Sequence, residues 1–199
     1  MSGLALALLT VYGILTLGIR IAVQLARTGS TGFKGLSGGP LERTAGVLFA
    51  VGIALAVVGA MRDAAGSLDP IGFLDGGVGR DAGIGLAAGG IVTTFAAQLA
   101  MGDAWRIGVD PSERTELVTD GPFSVVRNPI YAGMIPFFFG IALLVPNIQA
   151  VAGALLVLLG LELQTRLVEE PYLLGTHGEA YRRYAARVGR FVPGLGRLG

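Results

Sequence analysis

The sequence has 199 residues, of which 52% are hydrophobic and only 15% are charged. Soluble domains have about 25% charged residues, so this composition is typical of a protein with several membrane spans. The formal net charge of +1 provides no bulk field for nucleic acid. The chain lacks cysteine and has one histidine, His177, which excludes disulfides and thiolate ligands and argues against a metal site.

Five apolar segments occur along the chain, at residues 4–26, 44–61, 82–101, 130–145 and 148–167. Each is close to the roughly 20 residues that a helix needs to cross about 30 Å of hydrocarbon. Met1, Ser2 and Gly3 lack the basic residue of a signal peptide, so we expect the first segment to be a span. The sequence predicts an all-α integral membrane bundle of five transmembrane helices, three in residues 1–101 and two in residues 102–199.

The second and third segments are rich in glycine, which lets neighbouring helices approach closely. These glycines are Gly46, Gly52, Gly59, Gly83, Gly85, Gly89 and Gly90. We expect them to serve helix packing and not ligand binding.

The fourth and fifth segments are separated only by Pro146 and Asn147. They should form a tight antiparallel hairpin, because backbone inside a bilayer must satisfy its own hydrogen bonds. Such a hairpin returns the end of the fifth helix to the side on which the fourth begins.

The distribution of basic residues predicts the orientation of the bundle. If the C-terminus is cytoplasmic, 11 Lys and Arg residues lie on the cytoplasmic side and only Arg62 and Arg80 lie opposite. Arg20 and Arg166 fall inside or at the ends of spans. We therefore predict a multi-pass cell (inner) membrane protein with its N-terminus outside and its C-terminus cytoplasmic.

A polar, turn-rich run at residues 117–131 leads into the fourth span. Pro129 suits the first helical turn, and Asn128 is then a candidate N-cap. Tyr131 would lie in the first turn, where the free N–H groups of a helix can hold a carboxylate. The alternative is a capped helix start in which Tyr131 and Arg127 merely sit at the membrane interface.

Arg166, Glu169 and Glu170 lie where the fifth helix should leave the membrane. Ionisable groups at this depth are candidates for function. The alternative is that Arg166 bridges Glu169 or Glu170 along the helix, at spacings of three and four residues. The predicted hairpin brings these residues to the level of Asn128 and Tyr131, which favours a shared site.

The tail at residues 178–190 predicts an amphipathic helix, since Tyr181, Tyr184 and Val188 share one face. Its basic residues occupy other faces, which suits a helix lying at the cytoplasmic interface. A lid over the site is the equally open alternative.

Residues 105–193 carry an ordered set of motifs. They are Leu117-Val118-x-x-Gly121-Pro122-Phe123-x-x-x-Arg127-Asn128-Pro129-x-Tyr131, Glu169-Glu170-x-x-Leu173, Gly178-Glu179-x-Tyr181-x-x-Tyr184 and Arg190-Phe191-Val192-Pro193. The set resembles the isoprenylcysteine carboxyl methyltransferase family and, more broadly, the membrane methyltransferases that include phospholipid N-methyltransferases.

The resemblance implies a cytoplasmic site for S-adenosyl-L-methionine. Carried over by position, the cofactor contacts fall on Thr115, Glu116, Leu117, Val118, Phe123, Asn128, Pro129, Ile130, Tyr131 and Glu169. Relatives often have histidine in place of Asn128 and tyrosine in place of Phe123. Arg166 lies near the position of a substrate-contacting arginine of the prenylcysteine enzymes.

These features predict a membrane methyltransferase that uses S-adenosyl-L-methionine. The acceptor would be a lipophilic small molecule or lipid, for example a prenylcysteine-like carboxylate. The catalytic candidates are Arg166, Glu170 and Tyr131; the last two are the nearby groups that could serve as a base. We expect membrane lipids as partners, and neither nucleic acid nor a metal. The alternatives are a sterol-reductase-like oxidoreductase that uses NADPH, and a non-enzymatic transporter or scaffold.

Overall fold

The structure is a computed structural model that describes residues 1–32, 39–106 and 116–199. Within these ranges the chain forms helices without a β-strand, as predicted. The helices are α1 (Ser2–Thr28), α2 (Pro40–Ala64), α3 (Gly77–Ala100), α4 (Pro129–Leu144), α5 (Ile148–His177) and α6 (Glu179–Arg187). Two short 3₁₀ turns, Gly102–Ala104 and Gly121–Ser124, lie between α3 and α4.

Four of these helices, α1, α2, α3 and α5, are long and apolar enough to cross a membrane. The fourth predicted span, α4, has 16 residues and would extend about 24 Å at 1.5 Å per residue. All five predicted segments are therefore helices. The last one runs ten residues further than predicted, because a π-helical turn at Thr165–Glu169 carries α5 on to His177.

Glycines set the spacing between helix pairs. A Cβ on Gly52 would lie 2.8 Å from the carbonyl oxygen of Gly153, and one on Gly160 would lie 2.9 Å from that of Ala45. These contacts join α2 and α5 in antiparallel register, and similar contacts join α3 and α4, where a Cβ on Gly90 would lie 2.7 Å from the Gly133 carbonyl oxygen. The expected packing role is confirmed at Gly52 and Gly90 and is wrong at Gly85 and Gly89, where an added Cβ would meet nothing within 4 Å.

The two-residue turn between α4 and α5 is confirmed. Asn147 caps α5, since its Oδ1 accepts a hydrogen bond of 3.0 Å from the Ala150 N–H. Its Nδ2 donates to the Gly59 carbonyl at 3.1 Å and ties the turn to α2. Consequently α4 begins and α5 ends at the same end of the bundle, which is called the site end below.

Helix α1 is anchored at the site end by a buried arginine. Arg20 lies inside the span, where its Nη2 donates to the Gly102 carbonyl at 2.5 Å. Its guanidinium lies 4.5 Å from the centre of the Trp105 ring, a cation–π geometry. These contacts explain how a charged residue is accommodated in α1.

Candidate functional site

The polar segment before α4 is held by the C-terminal tail. The Arg127 N–H donates to the Gly189 carbonyl at 2.8 Å, and the Asn128 N–H donates to the Arg190 carbonyl at 3.0 Å. These bonds place the two segments side by side immediately before the first turn of α4. The pairing joins residues about 60 positions apart, so local sequence patterns could not predict it.

Helix α4 begins with Pro129 in its first turn and Asn128 at the N-cap position, as predicted. The predicted capping by the Asn128 side chain is wrong, however, because this side chain makes no cap hydrogen bond. Its Nδ2 instead lies 3.5 Å from the Arg190 carbonyl oxygen. The N–H groups of Ile130 and Tyr131 therefore receive no side-chain cap at a helix end that favours anions.

Tyr131 and Glu169 form the centre of the candidate site. The Tyr131 hydroxyl donates a hydrogen bond of 2.5 Å to Oε1 of Glu169, and both side chains are half-buried. Glu169 ends the π-helical turn Thr165–Glu169, and such turns are frequent at functional sites. The predicted meeting of the two helix ends is thus confirmed by direct contact.

The neighbouring Glu170 makes a different set of contacts. Its Oε1 accepts hydrogen bonds from Arg127 Nη2 at 2.6 Å and Arg190 Nε at 2.8 Å, and its Oε2 accepts one from Arg190 Nη2 at 2.9 Å. All three side chains are buried, and the Glu170 hydrogen bonds raise the pKa of Arg190 above its usual value. We call Arg127, Glu170 and Arg190 the clasp. Its saturated carboxylate favours a structural role for Glu170 over the predicted catalytic one.

Arg127 extends the clasp to the tail backbone. Its Nη1 donates to the carbonyls of Ala185 and Val188 at 3.0 and 2.6 Å, and its Nη2 donates to the Gly196 carbonyl at 3.0 Å. An arginine can supply five donors in a fixed fork, which suits it to gather several chain segments. The predicted alternative of a purely interfacial Arg127 is therefore wrong, since this side chain is buried in the protein.

Arg166 lies apart from both carboxylates. Its exposed side chain pairs with Glu162, one turn earlier on α5, and forms no hydrogen bond or ion pair with Glu169 or Glu170 in the described part of the chain. The alternative that Arg166 bridges one of these glutamates is therefore wrong. The π-helical turn explains the difference, because its extra residue rotates Glu169 and Glu170 away from the positions that an α-helix would give them. The predicted substrate contact of Arg166 stays a prediction.

The remaining predicted cofactor contacts fall into two groups. Pro129 and Ile130 accompany Tyr131 in the first turn of α4, whereas the segment before α4 contacts α6 through Leu117 and Phe123. Leu117 packs against the tyrosines of α6, Val118 is half-buried, Glu116 is exposed, and Phe123 is buried in the turn Gly121–Ser124. A cleft of about 610 Å³ lies between Leu117, Thr119 and α6. Thr115 lies outside the described residues.

The tyrosine face of α6 packs on the protein. Tyr181 and Tyr184 are buried, and the Tyr184 hydroxyl donates to the Phe123 carbonyl at 2.6 Å. Burial raises the pKa of each tyrosine to about 12. The tyrosine face of α6 therefore holds the polar segment against the C-terminal tail. The side chains of Arg182, Arg183 and Arg187 remain exposed.

Comparison with known proteins agrees with this architecture. Residues 79–180 match the family model for phospholipid methyltransferases, which is half of the chain. The chain belongs to the phospholipid methyltransferase family. The family match contains α3 from Gly79 onward, the polar segment, Tyr131, Glu169 and Glu170, whereas α1, α2 and Arg190 lie outside it.

A solved structure shares the fold of this family member. It is the eukaryotic intramembrane Ras methyltransferase, an isoprenylcysteine carboxyl methyltransferase, with a TM-score of 0.57 and 21% sequence identity. The match covers 91% of this chain and 62% of that chain, so this chain spans less than two thirds of the solved protein. No curated protein matches the sequence.

The sequence motifs did not predict the clasp as a unit. Arg127, Glu170 and Arg190 were each part of a motif, but only the folded tail brings them together. The charges themselves could have indicated the clasp. Two arginines and one glutamate that flank apolar helices need oppositely charged partners if they are buried.

Proposed function

We propose that the protein is a membrane methyltransferase that uses S-adenosyl-L-methionine to methylate a lipophilic acceptor. The observation that carries this proposal is the Tyr131–Glu169 pair, which joins the first turn of α4 to the C-terminal part of α5 in an apolar bundle. Membership of a methyltransferase family supports the reaction class. A polar cofactor would be bound at the site end, and a lipophilic acceptor would approach between the helices.

The side chains present fit such a cofactor. The uncapped N–H groups at the start of α4 suit the cofactor carboxylate, and Glu169 can accept hydrogen bonds from its ammonium group or ribose hydroxyls. The hydroxyl of Thr165 is fully buried and has no hydrogen-bond partner in the part of the chain that the structure describes. Such an atom is a natural contact for a polar ligand, because leaving it unpaired is costly.

When bound, the cofactor supplies a methyl group on a positively charged sulfur, which a nucleophile displaces in line. The contribution of the protein is therefore to orient donor and acceptor and to exclude water. Phe191 packs edge-on against Tyr131 with ring centres 6.4 Å apart, so the tail helps to cover the pair. A carboxylate acceptor needs no base. A hydroxyl or ammonium acceptor would have to give up a proton, which the Glu169 carboxylate beside Tyr131 could take, since Glu170 is held by the clasp.

Calorimetry on the detergent-solubilised chain tests the proposal. S-adenosylhomocysteine should bind to the wild-type protein, and NADPH should not. Binding of NADPH alone would overturn the proposal in favour of the sterol-reductase-like alternative. Binding of neither would favour a transporter or scaffold.

A matched pair of variants tests the place of binding. Glu169→Ala should weaken S-adenosylhomocysteine binding at least tenfold, on the order of the 1.4 kcal/mol expected for a lost charge-assisted hydrogen bond. Glu162→Ala removes a carboxylate from the same helix, where it pairs with the exposed Arg166, and should leave binding unchanged. Equal affinity in both variants would remove Glu169 from the site.

A further inference from the structure

Helix α6 has one face that packs on the protein and one face that points outward. Tyr181, Tyr184 and Ala185 are buried, and the Tyr184 hydroxyl donates to the Phe123 carbonyl at 2.6 Å. An amphipathic helix that lies on a membrane normally buries its apolar face among the lipids. In α6 the protein already covers this face, so only the outward, basic face can contact a membrane surface.

The length of α5 places α6 at the level of the lipid headgroups. Counted from Ile148, the 30 residues of α5 extend about 45 Å at 1.5 Å per residue, whereas the hydrocarbon of a bilayer is about 30 Å thick. The last turns of α5 therefore extend beyond the hydrocarbon at the site end. Gly178, with a φ of 53°, turns the chain directly into α6. The basic face of α6 thus lies where lipid phosphate groups are found.

Two arginines on this face have no carboxylate partner. Glu179 is the only acidic side chain of α6, and it pairs with Arg182 at 2.8 Å. The side chains of Arg183 and Arg187 are exposed and form no ion pair or hydrogen bond among the described residues. They lie four residues apart on the same side of the helix, and like charges at this spacing destabilise a helix. An anion bound between them relieves this repulsion.

Arg183 and Arg187 line the cleft of about 610 Å³ between α6 and the polar segment. Leu117, Ala180 and Tyr184 supply apolar surface to the same cleft, and no acidic residue lines it in the part of the chain that the structure describes. Guanidinium groups bind phosphate oxygens through paired hydrogen bonds. The lining therefore combines groups that bind a phosphate with groups that bind the glycerol and first methylenes of a lipid.

We propose that this cleft binds the headgroup of an anionic phospholipid, with the lipid phosphate between Arg183 and Arg187. The cleft shares no lining residue with the Tyr131–Glu169 pair, so this lipid is a bound partner and not the methyl acceptor. The inference goes beyond the proposed function and does not depend on it. Because one wall of the cleft belongs to α6 and the other to the polar segment, the bound lipid holds these two parts together.

Native mass spectrometry of the detergent-solubilised full chain tests the proposal. The anionic probe is dioleoylphosphatidylglycerol, and the zwitterionic probe is dioleoylphosphatidylcholine. Wild type should retain one phosphatidylglycerol in preference to phosphatidylcholine. The double variant Arg183→Gln/Arg187→Gln should lose at least tenfold in affinity for phosphatidylglycerol, or about 1.4 kcal/mol, because basic side chains attract anionic headgroups.

A second double variant is the matched control for charge. Arg62→Gln/Arg80→Gln removes two exposed arginines at the opposite end of the bundle and should bind phosphatidylglycerol as wild type does. Ala180→Leu fills the cleft without changing a charge, and leucine is well accepted in a helix. This variant should also weaken phosphatidylglycerol binding, and it keeps the test decisive if the arginine variant does not fold.

Three outcomes overturn the proposal. The first is unchanged phosphatidylglycerol affinity in Arg183→Gln/Arg187→Gln or in Ala180→Leu. The second is an equal loss of affinity in Arg62→Gln/Arg80→Gln, which would show attraction by net charge alone. The third is displacement of the lipid by millimolar inorganic phosphate, which would assign the cleft to a free anion instead of a lipid.

Discussion

Glu169 and Glu170 are adjacent in the chain but belong to two different environments. Glu169 is half-buried and receives a hydroxyl donor from Tyr131, whereas the Glu170 carboxylate accepts three bonds from two buried guanidinium groups. A carboxylate saturated by fixed cations has little capacity left for a ligand. A carboxylate that accepts one hydroxyl, on the same helical turn as a threonine without a partner among the described residues, retains that capacity. The hydrogen-bond partners of each glutamate, and not its position in a motif, show whether it holds the fold together or can bind a ligand.

The largest effect should come from breaking the clasp. Glu170→Gln removes the charge shared by Arg127 and Arg190, whose side chains are 1% and 10% exposed. Removing one partner of a buried ion pair costs about 3–5 kcal/mol, because the remaining charges stay buried. We expect a marked fall in the unfolding temperature of the solubilised protein.

The matched control is the exposed pair of Arg166 with Glu162. The Arg166 side chain is 56% exposed, and exposed ion pairs contribute about 0–1 kcal/mol. Arg166→Ala should therefore barely move the unfolding temperature. Similar losses in Arg166→Ala and Glu170→Gln would contradict the distinction between the clasp and a surface pair.

Raising the pH should lower the stability of the protein through the buried tyrosines of α6, which pack beside the clasp. Burial raises the pKa of Tyr184 to about 12, whereas an unfolded tyrosine ionises near pH 10. A group whose folded pKa is raised contributes its full stability below the unfolded value, and this stability is lost as the pH rises through the folded value. We expect a loss on the order of 2–3 kcal/mol between about pH 10 and 12.

Unfolding temperatures measured across this pH range check the expectation. Tyr184→Phe removes the titrating hydroxyl and should flatten part of the alkaline loss, although it also gives up the bond to the Phe123 carbonyl. An unchanged pH profile in this variant would show that other groups govern the alkaline transition.

At the candidate site itself we expect a smaller loss of stability than at the clasp. Tyr131→Phe removes the hydrogen bond to Glu169, and a bond of this kind contributes about 0.5–3 kcal/mol. Pro129 still sets the helix start, so the fold should persist. The rate of methyl transfer should fall about tenfold or more, whereas the protein should stay folded. Loss of the fold without a separate loss of activity would place Tyr131 among the structural residues.

Local chemistry explains which features were predictable. Pro129 starts α4, and Pro146 with Asn147 forces the turn into α5, because both effects act within a few residues. The hairpin then implied that Tyr131 and Glu169 would meet. The failure of Asn128 to cap was not predictable, since the competing partner is the Arg190 carbonyl far along the chain.

The sequence by itself determined the apolar helices, the turn between α4 and α5 and the level at which the polar residues collect, since hydropathy and short turns are local properties. The close pairing of α2 with α5 and of α3 with α4 came from the structure. Only the tertiary structure decided which charged side chains form ion pairs with one another. The tail folds back to place Arg190 on Glu170, and Arg166 pairs with Glu162 instead of Glu169 or Glu170. Charge pairing depends on three-dimensional distance and burial, and neither quantity follows from spacing along the chain.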